Sequence, residues 1–175
     1  PATRQVVENH PGFAVPLNAI RFQNDLVVAE LGAGRVVRVT PGGPVPLATE
    51  LYVPAGLAAS GSDLYVGDWA SGIVWKITPG GPQIPLATGL SQPEGLAVDL
   101  DGNLLVVESG PGRLSKINVS TGAVTTVEEG LDLGLPAGPG GPPTWAFNGV
   151  AVGPSGAIYV TGDKTNVLYR LRFPH

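Results

Sequence analysis

The chain has 175 residues, with a formal net charge of −4, only 14% charged residues and no Cys. The Lys and Arg residues stand scattered along it, as at Arg21, Arg35, Arg38, Lys76, Arg113 and Lys116. With no basic stripe to release counterions from phosphates, a nucleic-acid partner is excluded; a disulfide framework and thiolate chemistry are excluded too, as is a membrane helix, since no apolar run approaches about 18–20 residues.

In chain order, the first strand-like run is Arg4-Gln5-Val6-Val7-Glu8, which resembles a later run, Val124-Thr125-Thr126-Val127-Glu128. A cassette then returns four times. The first copy holds Leu26-Val27-Val28-Ala29-Glu30 and Gly34-Arg35-Val36-Val37-Arg38-Val39-Thr40-Pro41-Gly42-Gly43. The second opens on Pro54-Ala55-Gly56-Leu57-Ala58 and continues through Asp63-Leu64-Tyr65-Val66-Gly67-Asp68 and Gly72-Ile73-Val74-Trp75-Lys76-Ile77. The third repeats this as Pro93-Glu94-Gly95-Leu96-Ala97-Val98-Asp99, Asn103-Leu104-Leu105-Val106-Val107-Glu108 and Gly112-Arg113-Leu114-Ser115-Lys116-Ile117. The fourth runs Asn148-Gly149-Val150-Ala151-Val152, Ile158-Tyr159-Val160-Thr161-Gly162 and Asn166-Val167-Leu168-Tyr169-Arg170-Leu171.

Short β-patterned runs split by Gly and Pro turns, returning at a period of about 38–40 residues, predict sheets repeated around an axis: an all-β propeller of four-stranded antiparallel blades. Hairpin turns fall at Gly61-Ser62-Asp63, Asp101-Gly102-Asn103 and Pro154-Ser155-Gly156, between first and second strands. The expected blades span residues 16–50, 54–90, 93–130 and 147–173 of a single domain, 1–175. The last copy ends after its third strand, and residues 4–8 are expected to supply the missing fourth, which would remove an open sheet edge. Two architectures remain open: a four-bladed ring closed on itself, or part of a six-bladed propeller.

The pairing of Pro93-Glu94-Gly95-Leu96-Ala97-Val98-Asp99 with Asp101-Gly102-Asn103-Leu104-Leu105-Val106-Val107-Glu108 resembles NHL-repeat propellers. It is also similar to the gluconolactonase (senescence-marker-type) and streptogramin B lyase groups. Blades of this type serve lactonases, lyases and binding modules alike, so the resemblance implies the fold and leaves the chemistry open. In the gluconolactonase-like group a calcium or other divalent ion is held at the channel mouth by oxygens from several blades. On alignment of the first strands, Asn18, Ala55, Glu94 and Asn148 take that position; the resemblance implies Glu94, Asn148 and Asn18 as ligands, and Ala55 departs from the pattern. The competing reading of these side chains is that they cap turns.

Glu30, Asp68 and Glu108 end second strands, with Gly162-Asp163 in the fourth copy; such carboxylates serve either acid–base chemistry or the turn that follows. His10, the sole internal His, is a candidate general base in Asn9-His10-Pro11-Gly12-Phe13. An insertion at residues 131–145, rich in Gly and Pro, leads into Trp145 and Phe147; with Trp69 these are candidate walls for a sugar or apolar ligand. The expected function is that of a ligand- or protein-binding scaffold, with a small molecule, sugar or protein on the channel face. The alternative is a divalent-metal-dependent hydrolase or lyase. An incomplete ring would imply a homo-oligomer. Low charge, abundant Thr, Gly and Pro, and the absence of Cys and Met lead to the expectation of a mature, secreted or periplasmic protein.

Overall fold

The structure is a computed structural model and describes residues 9–136 and 146–172. Three four-stranded sheets and one of three strands follow one another, all strictly antiparallel. Blade 1 comprises β1 (Pro16–Phe22), β2 (Asp25–Glu30), β3 (Arg35–Thr40) and β4 (Gly43–Ala48). Blade 2 comprises β5 (Pro54–Ser60), β6 (Asp63–Asp68), β7 (Ile73–Ile77) and β8 (Gln83–Ala87). Blade 3 comprises β9 (Pro93–Val98), β10 (Leu104–Glu108), β11 (Arg113–Ile117) and β12 (Val124–Glu128). Blade 4 comprises β13 (Val150–Val152), β14 (Ile158–Gly162) and β15 (Val167–Leu171). The described residues contain no helix, and so none long and apolar enough to cross a membrane.

The alternation along each strand is read differently here than in a one-sided sheet. Both faces of a central blade are buried, because each faces a neighbouring blade, and so β6 and β10 are buried almost throughout. In blade 3, Leu96, Leu104, Val106 and Ile117 pack against Ala58, Tyr65 and Val74 of blade 2. The other face, with Leu105, Val107 and Leu114, packs against Ile158 and Val160 of blade 4. A comparable cluster joins Val27, Ala29 and Val36 of blade 1 to Leu57, Leu64 and Val66 of blade 2. The core is therefore a series of apolar layers between successive blades, and the first strands β1, β5, β9 and β13 stand side by side on the inside of the curve.

The Gly in each Pro-x-Gly step exists for this close approach. A Cβ on Gly56 would lie 2.0 Å from the Glu94 carbonyl oxygen, and one on Gly95 would lie 2.7 Å from that of Asn148. Neither Gly has a positive φ, so the requirement is space rather than backbone freedom. Backbone freedom is what Gly72 supplies, at φ +67 in the turn between β6 and β7, where its carbonyl accepts the Leu90 N–H. The fourth copy places Asn166 at the matching turn with φ 56, a conformation that Asn tolerates better than most residues.

The blades form an open arc. Blade 1 packs on blade 2, 2 on 3 and 3 on 4, while among the described residues no comparable packing brings blade 4 back to blade 1. Among the described residues the closed four-bladed ring allowed by the sequence is not formed. Residues 4–8, expected to complete the last blade, lie outside the described residues, as do Trp145 and residues 137–145 of the insertion.

Candidate functional site

The second-strand carboxylates occupy equivalent corners, and their hydrogen bonds fix what each can do. Glu30 accepts the Ala14 N–H at 2.7 Å, Asp68 accepts those of Tyr52 and Val53 at 3.1 and 2.7 Å, and Glu108 accepts that of Ser91 at 2.8 Å. Asp163 does the same in blade 4, accepting from Gly134 at 2.7 Å and Leu135 at 2.8 Å. Each acid thus pins the connector that enters its own blade, and not the turn that follows it.

Copies with the longer Glu also carry an Arg five positions on. Arg35 pairs with Glu30, and Arg113 pairs with Glu108 at 2.8 Å, where Ser115 adds a hydroxyl bond. Burial alone would raise the Glu108 pKa, but Arg113, Ser115 and the Ser91 N–H together hold it below the ordinary carboxylate range. Glu30 is held low in the same way by Arg35 and Ala14 against its own desolvation. These carboxylates are saturated with donors inside the protein and brace the connectors.

Glu94 is different. It sits at the x position of Pro-x-Gly, at the start of β9, and is 1% exposed. Its Oε2 accepts both the backbone N–H and the side-chain Nδ2 of Asn148, at 2.7 and 2.8 Å, across the junction of blades 3 and 4. Its Oε1 accepts the indole Nε1–H of Trp69 at 3.3 Å, from blade 2. Among the described residues no cation forms an ion pair with it. Desolvation therefore dominates and raises its pKa, with repulsion from Asp163 acting in the same direction, against the lowering effect of Ser109 and Asn148. Glu30, Asp63, Asp99 and Glu108 are all held low, whereas Glu94 is pushed toward its neutral form.

A cavity of about 140 Å³ opens on this carboxyl group. Trp69 and Gln92 line it with Ser109, Gly134, Leu135 and Lys164, so loops of blades 2, 3 and 4 converge there. All of these are loops between fourth and first strands or between second and third strands, which share one face of the arc. The Ser109 hydroxyl stands 3.3 Å from the Gln92 carbonyl oxygen. Exposed Lys164 brings a positive charge to the mouth.

The sequence-derived candidates distribute unevenly around this cavity. Glu94 and Asn148 meet directly, Trp69 bonds to Glu94, and half-buried Phe147 precedes Asn148. Asn18 is half-buried on β1, two blades from Glu94, and His10 is exposed in the segment before β1; neither lines the cavity. Gln92, Ser109 and Lys164 went unrecognised in the sequence. Their one available signal was position, since each lies one or two residues from a Pro-x-Gly step or a second-strand acid.

The donor set was tested against a divalent cation. A calcium shell needs about six to eight oxygens. Here both Glu94 oxygens and the Asn148 Oδ1, which accepts the Asp163 N–H at 3.0 Å, are already spent on N–H donors. Ala55 contributes no side-chain oxygen, and among the described residues no three His, Asp or Glu side chains group as a cation site. The residues in place do not fit such an ion.

No family model matches the chain, and no curated protein matches it in sequence. Solved structures do match. The catalytically inactive virginiamycin B lyase from Staphylococcus aureus with quinupristin superposes with a TM-score of 0.69 at 18% identity, over 90% of this chain and 52% of that one. The fold is a β-propeller. A nidogen/laminin complex superposes at 0.69 with 17% identity, over 89% of this chain and 58% of the other. A protein provisionally described as a gluconolactonase gives 0.64 with 20% identity, over 84% and 57%. The chain thus spans little more than half the length of these propellers. At such identities the likeness establishes the fold, and it extends across the propeller groups that the repeat resembles.

Proposed function

We propose that this propeller arc is a ligand-binding scaffold whose site is the cavity over Glu94, and that it takes a small polar group, a hydroxyl or carbonyl, carried on a sugar-like or peptide-like ligand. The observation that carries this reading is the convergence of three blades on one buried carboxyl group that, among the described residues, forms no ion pair. In its protonated form Glu94 donates a hydrogen bond as well as accepting one, while the Gln92 side chain and the Lys164 ammonium supply further polar contacts. Trp69 offers an aromatic wall, which suits the apolar face of a sugar ring or a peptide side chain. A cavity of about 140 Å³ holds a substituent rather than a whole drug-sized molecule, so the body of the ligand would lie outside, across the face.

Backbone and indole N–H signals in a two-dimensional NMR spectrum test this with a panel of monosaccharides and short peptides. Saturable shifts centred on Trp69, Ser109 and Gly134, lost in Trp69→Ala, are expected. Shifts that cluster elsewhere, or survive unchanged in Trp69→Ala, would refute the site. The metal-dependent hydrolase or lyase reading is tested by calcium and manganese titrations on the same signals. Sub-millimolar shifts at Glu94 and Asn148, abolished in Glu94→Ala, would favour it over the scaffold.

A further inference from the structure

Blade 2 departs from the repeat at one corner of the site face. In blades 1, 2 and 3 the residue after the second strand donates its N–H to a carbonyl just ahead of the first strand: Leu31 to Val15 at 3.0 Å, Trp69 to Val53 at 2.9 Å and Ser109 to Gln92 at 3.2 Å. The residue before that carbonyl donates to the corner acid: Ala14 to Glu30, Tyr52 to Asp68 and Ser91 to Glu108. The backbone bonding is thus the same at all three corners, and the side chains are not. Blade 1 carries Ala14 with Leu31, and blade 3 carries Ser91 with Ser109; blade 2 carries Tyr52 with Trp69. Trp69 is half-buried, its indole N–H on Glu94. Tyr52 is 74% exposed, the most exposed large hydrophobic side chain among the described residues. A single exposed ring is ordinary on a protein surface. An exposed ring placed beside the aromatic wall of a cavity is a different matter.

We infer that Tyr52 is a second stacking platform, and that the ligand of the Glu94 cavity is an oligosaccharide. One sugar ring lies on Trp69 with a hydroxyl in the cavity, and its neighbour lies on Tyr52. The inference rests on the reading of the cavity proposed above and names its ligand. Tyr52 and Trp69 leave from backbones joined through the Trp69–Val53 bond, so the two side chains are neighbours at one corner. A cavity of about 140 Å³ admits a substituent and leaves the rings outside, where the platforms stand. A saccharide matches both parts, with hydroxyls at its edges for Glu94, Gln92 and Ser109 and C–H faces for aromatic rings. A peptide main chain asks for N–H and C=O partners along its length. The backbone donors of this rim are spent internally: Tyr52 and Val53 on Asp68, Trp69 on Val53, Ser109 on Gln92, and Gly134 and Leu135 on Asp163. Stacking on ring faces needs none of them.

The test is ligand length, read by NMR titration of the full chain. The probes are glucose with cellobiose and maltose, mannose with mannobiose, N-acetylglucosamine with chitobiose, and trialanine as the peptide. For at least one sugar the disaccharide is expected to bind roughly two- to tenfold tighter than its monosaccharide, the worth of one added aromatic contact, and to shift Tyr52 as well as the Trp69 indole. In Tyr52→Ala that gain should vanish while monosaccharide affinity stays as it was. Tyr52→Phe, which keeps the ring, should retain the gain. Tyr52 is exposed, so both variants should show an unchanged circular dichroism spectrum. Should Tyr52→Ala fail to fold, Tyr52→Gln takes its place. Disaccharides that bind at Trp69 no better than monosaccharides overturn the second platform and leave the cavity reading standing, as does a gain that survives in Tyr52→Ala. Trialanine bound at Trp69 with no sugar bound overturns the saccharide assignment alone. Silence of Trp69, Ser109 and Gly134 toward every probe defeats the cavity reading and this inference together.

Discussion

Replacing Gly95 with Ala tests whether blade packing fixes the site. The new Cβ would lie 2.7 Å from the Asn148 carbonyl oxygen and 2.8 Å from the Val150 N, where ordinary contact begins at 3.4 Å. All of the atoms it meets belong to backbone, so no side chain can rotate away. Blade 4's first strand must retreat by about 0.7 Å, the difference between 3.4 and 2.7 Å. Overpacking of this kind costs roughly 1–3 kcal/mol. An opposing gain exists, because Ala narrows the unfolded ensemble and Gly95 has a φ that Ala accepts; that gain is about 0.4–1 kcal/mol. Overpacking wins, with a net loss of about 1–2 kcal/mol, which lowers the melting temperature by roughly 2–8 °C in a chain of this size. Gly56→Ala should cost more, since its Cβ would lie 2.0 Å from the Glu94 carbonyl oxygen. Calorimetry reads both numbers, and the Asn148 side-chain amide signals in NMR report the stretched bonds to Glu94. A Gly95→Ala protein as stable as the wild type or more so, or a Gly56→Ala protein that is the milder of the two, would refute the reasoning.

The carboxylates supply further expectations, read as urea midpoints across a pH series. Glu30 and Glu108 are held below their ordinary value of 4.5, so their stabilisation is complete above that pH and is lost as the pH falls through their lowered values. Glu108→Gln should flatten that acid limb and lower stability at neutral pH by roughly 2–4 kcal/mol, the low side of the range for a broken buried pair because Arg113 is partly exposed. Glu94 has the opposite sign: its raised value means that its contribution is complete below 4.5 and is lost as the pH rises through the folded value. Glu94→Gln should therefore remove a loss of stability on the neutral side while leaving the acid limb of Glu108 intact; an unchanged neutral limb would show that folding does not raise the Glu94 pKa. Leu114→Ala, deleting a fully buried side chain between blades 3 and 4, should cost about 2–5 kcal/mol, and a loss under 1 kcal/mol would mean that this layer is loosely packed.

The strands and their order were legible because the repeat carries them redundantly: a run misread in one copy is corrected by the other three. The meeting of Glu94 and Asn148, 54 positions apart, was legible for the same reason, since alignment put both at one structural place on adjacent blades. What alignment could not supply was the direction of individual bonds. The corner acids were expected to serve the turn after them, yet Asp68 reaches back to Tyr52 and Val53, because the connector passes beside the corner in space while the sequence shows only the turn beside it in order. Gln92, Ser109 and Lys164 escaped notice because none is unusual in its own copy; they form a site only where three blades converge.

Packing and chemistry have one origin here. A propeller interface demands that first strands approach until no side chain fits at the Gly of Pro-x-Gly, and that approach carries the residues at x into contact with the next blade. Where x is Ala55, nothing polar results. Where x is Glu94 and the next x is Asn148, the same closeness strips water from a carboxyl group, and this desolvation outweighs the N–H donors that Asn148 supplies, which shifts it toward neutrality. The carboxylates one strand away, equally buried, stay ionised because Arg35 and Arg113 stand beside them. A single substitution in an otherwise repeated step is thus enough to turn a structural junction into a candidate binding site. The site's specificity then rests on the loops above it, Trp69 on one side and Lys164 on the other, which the repeat leaves free to differ.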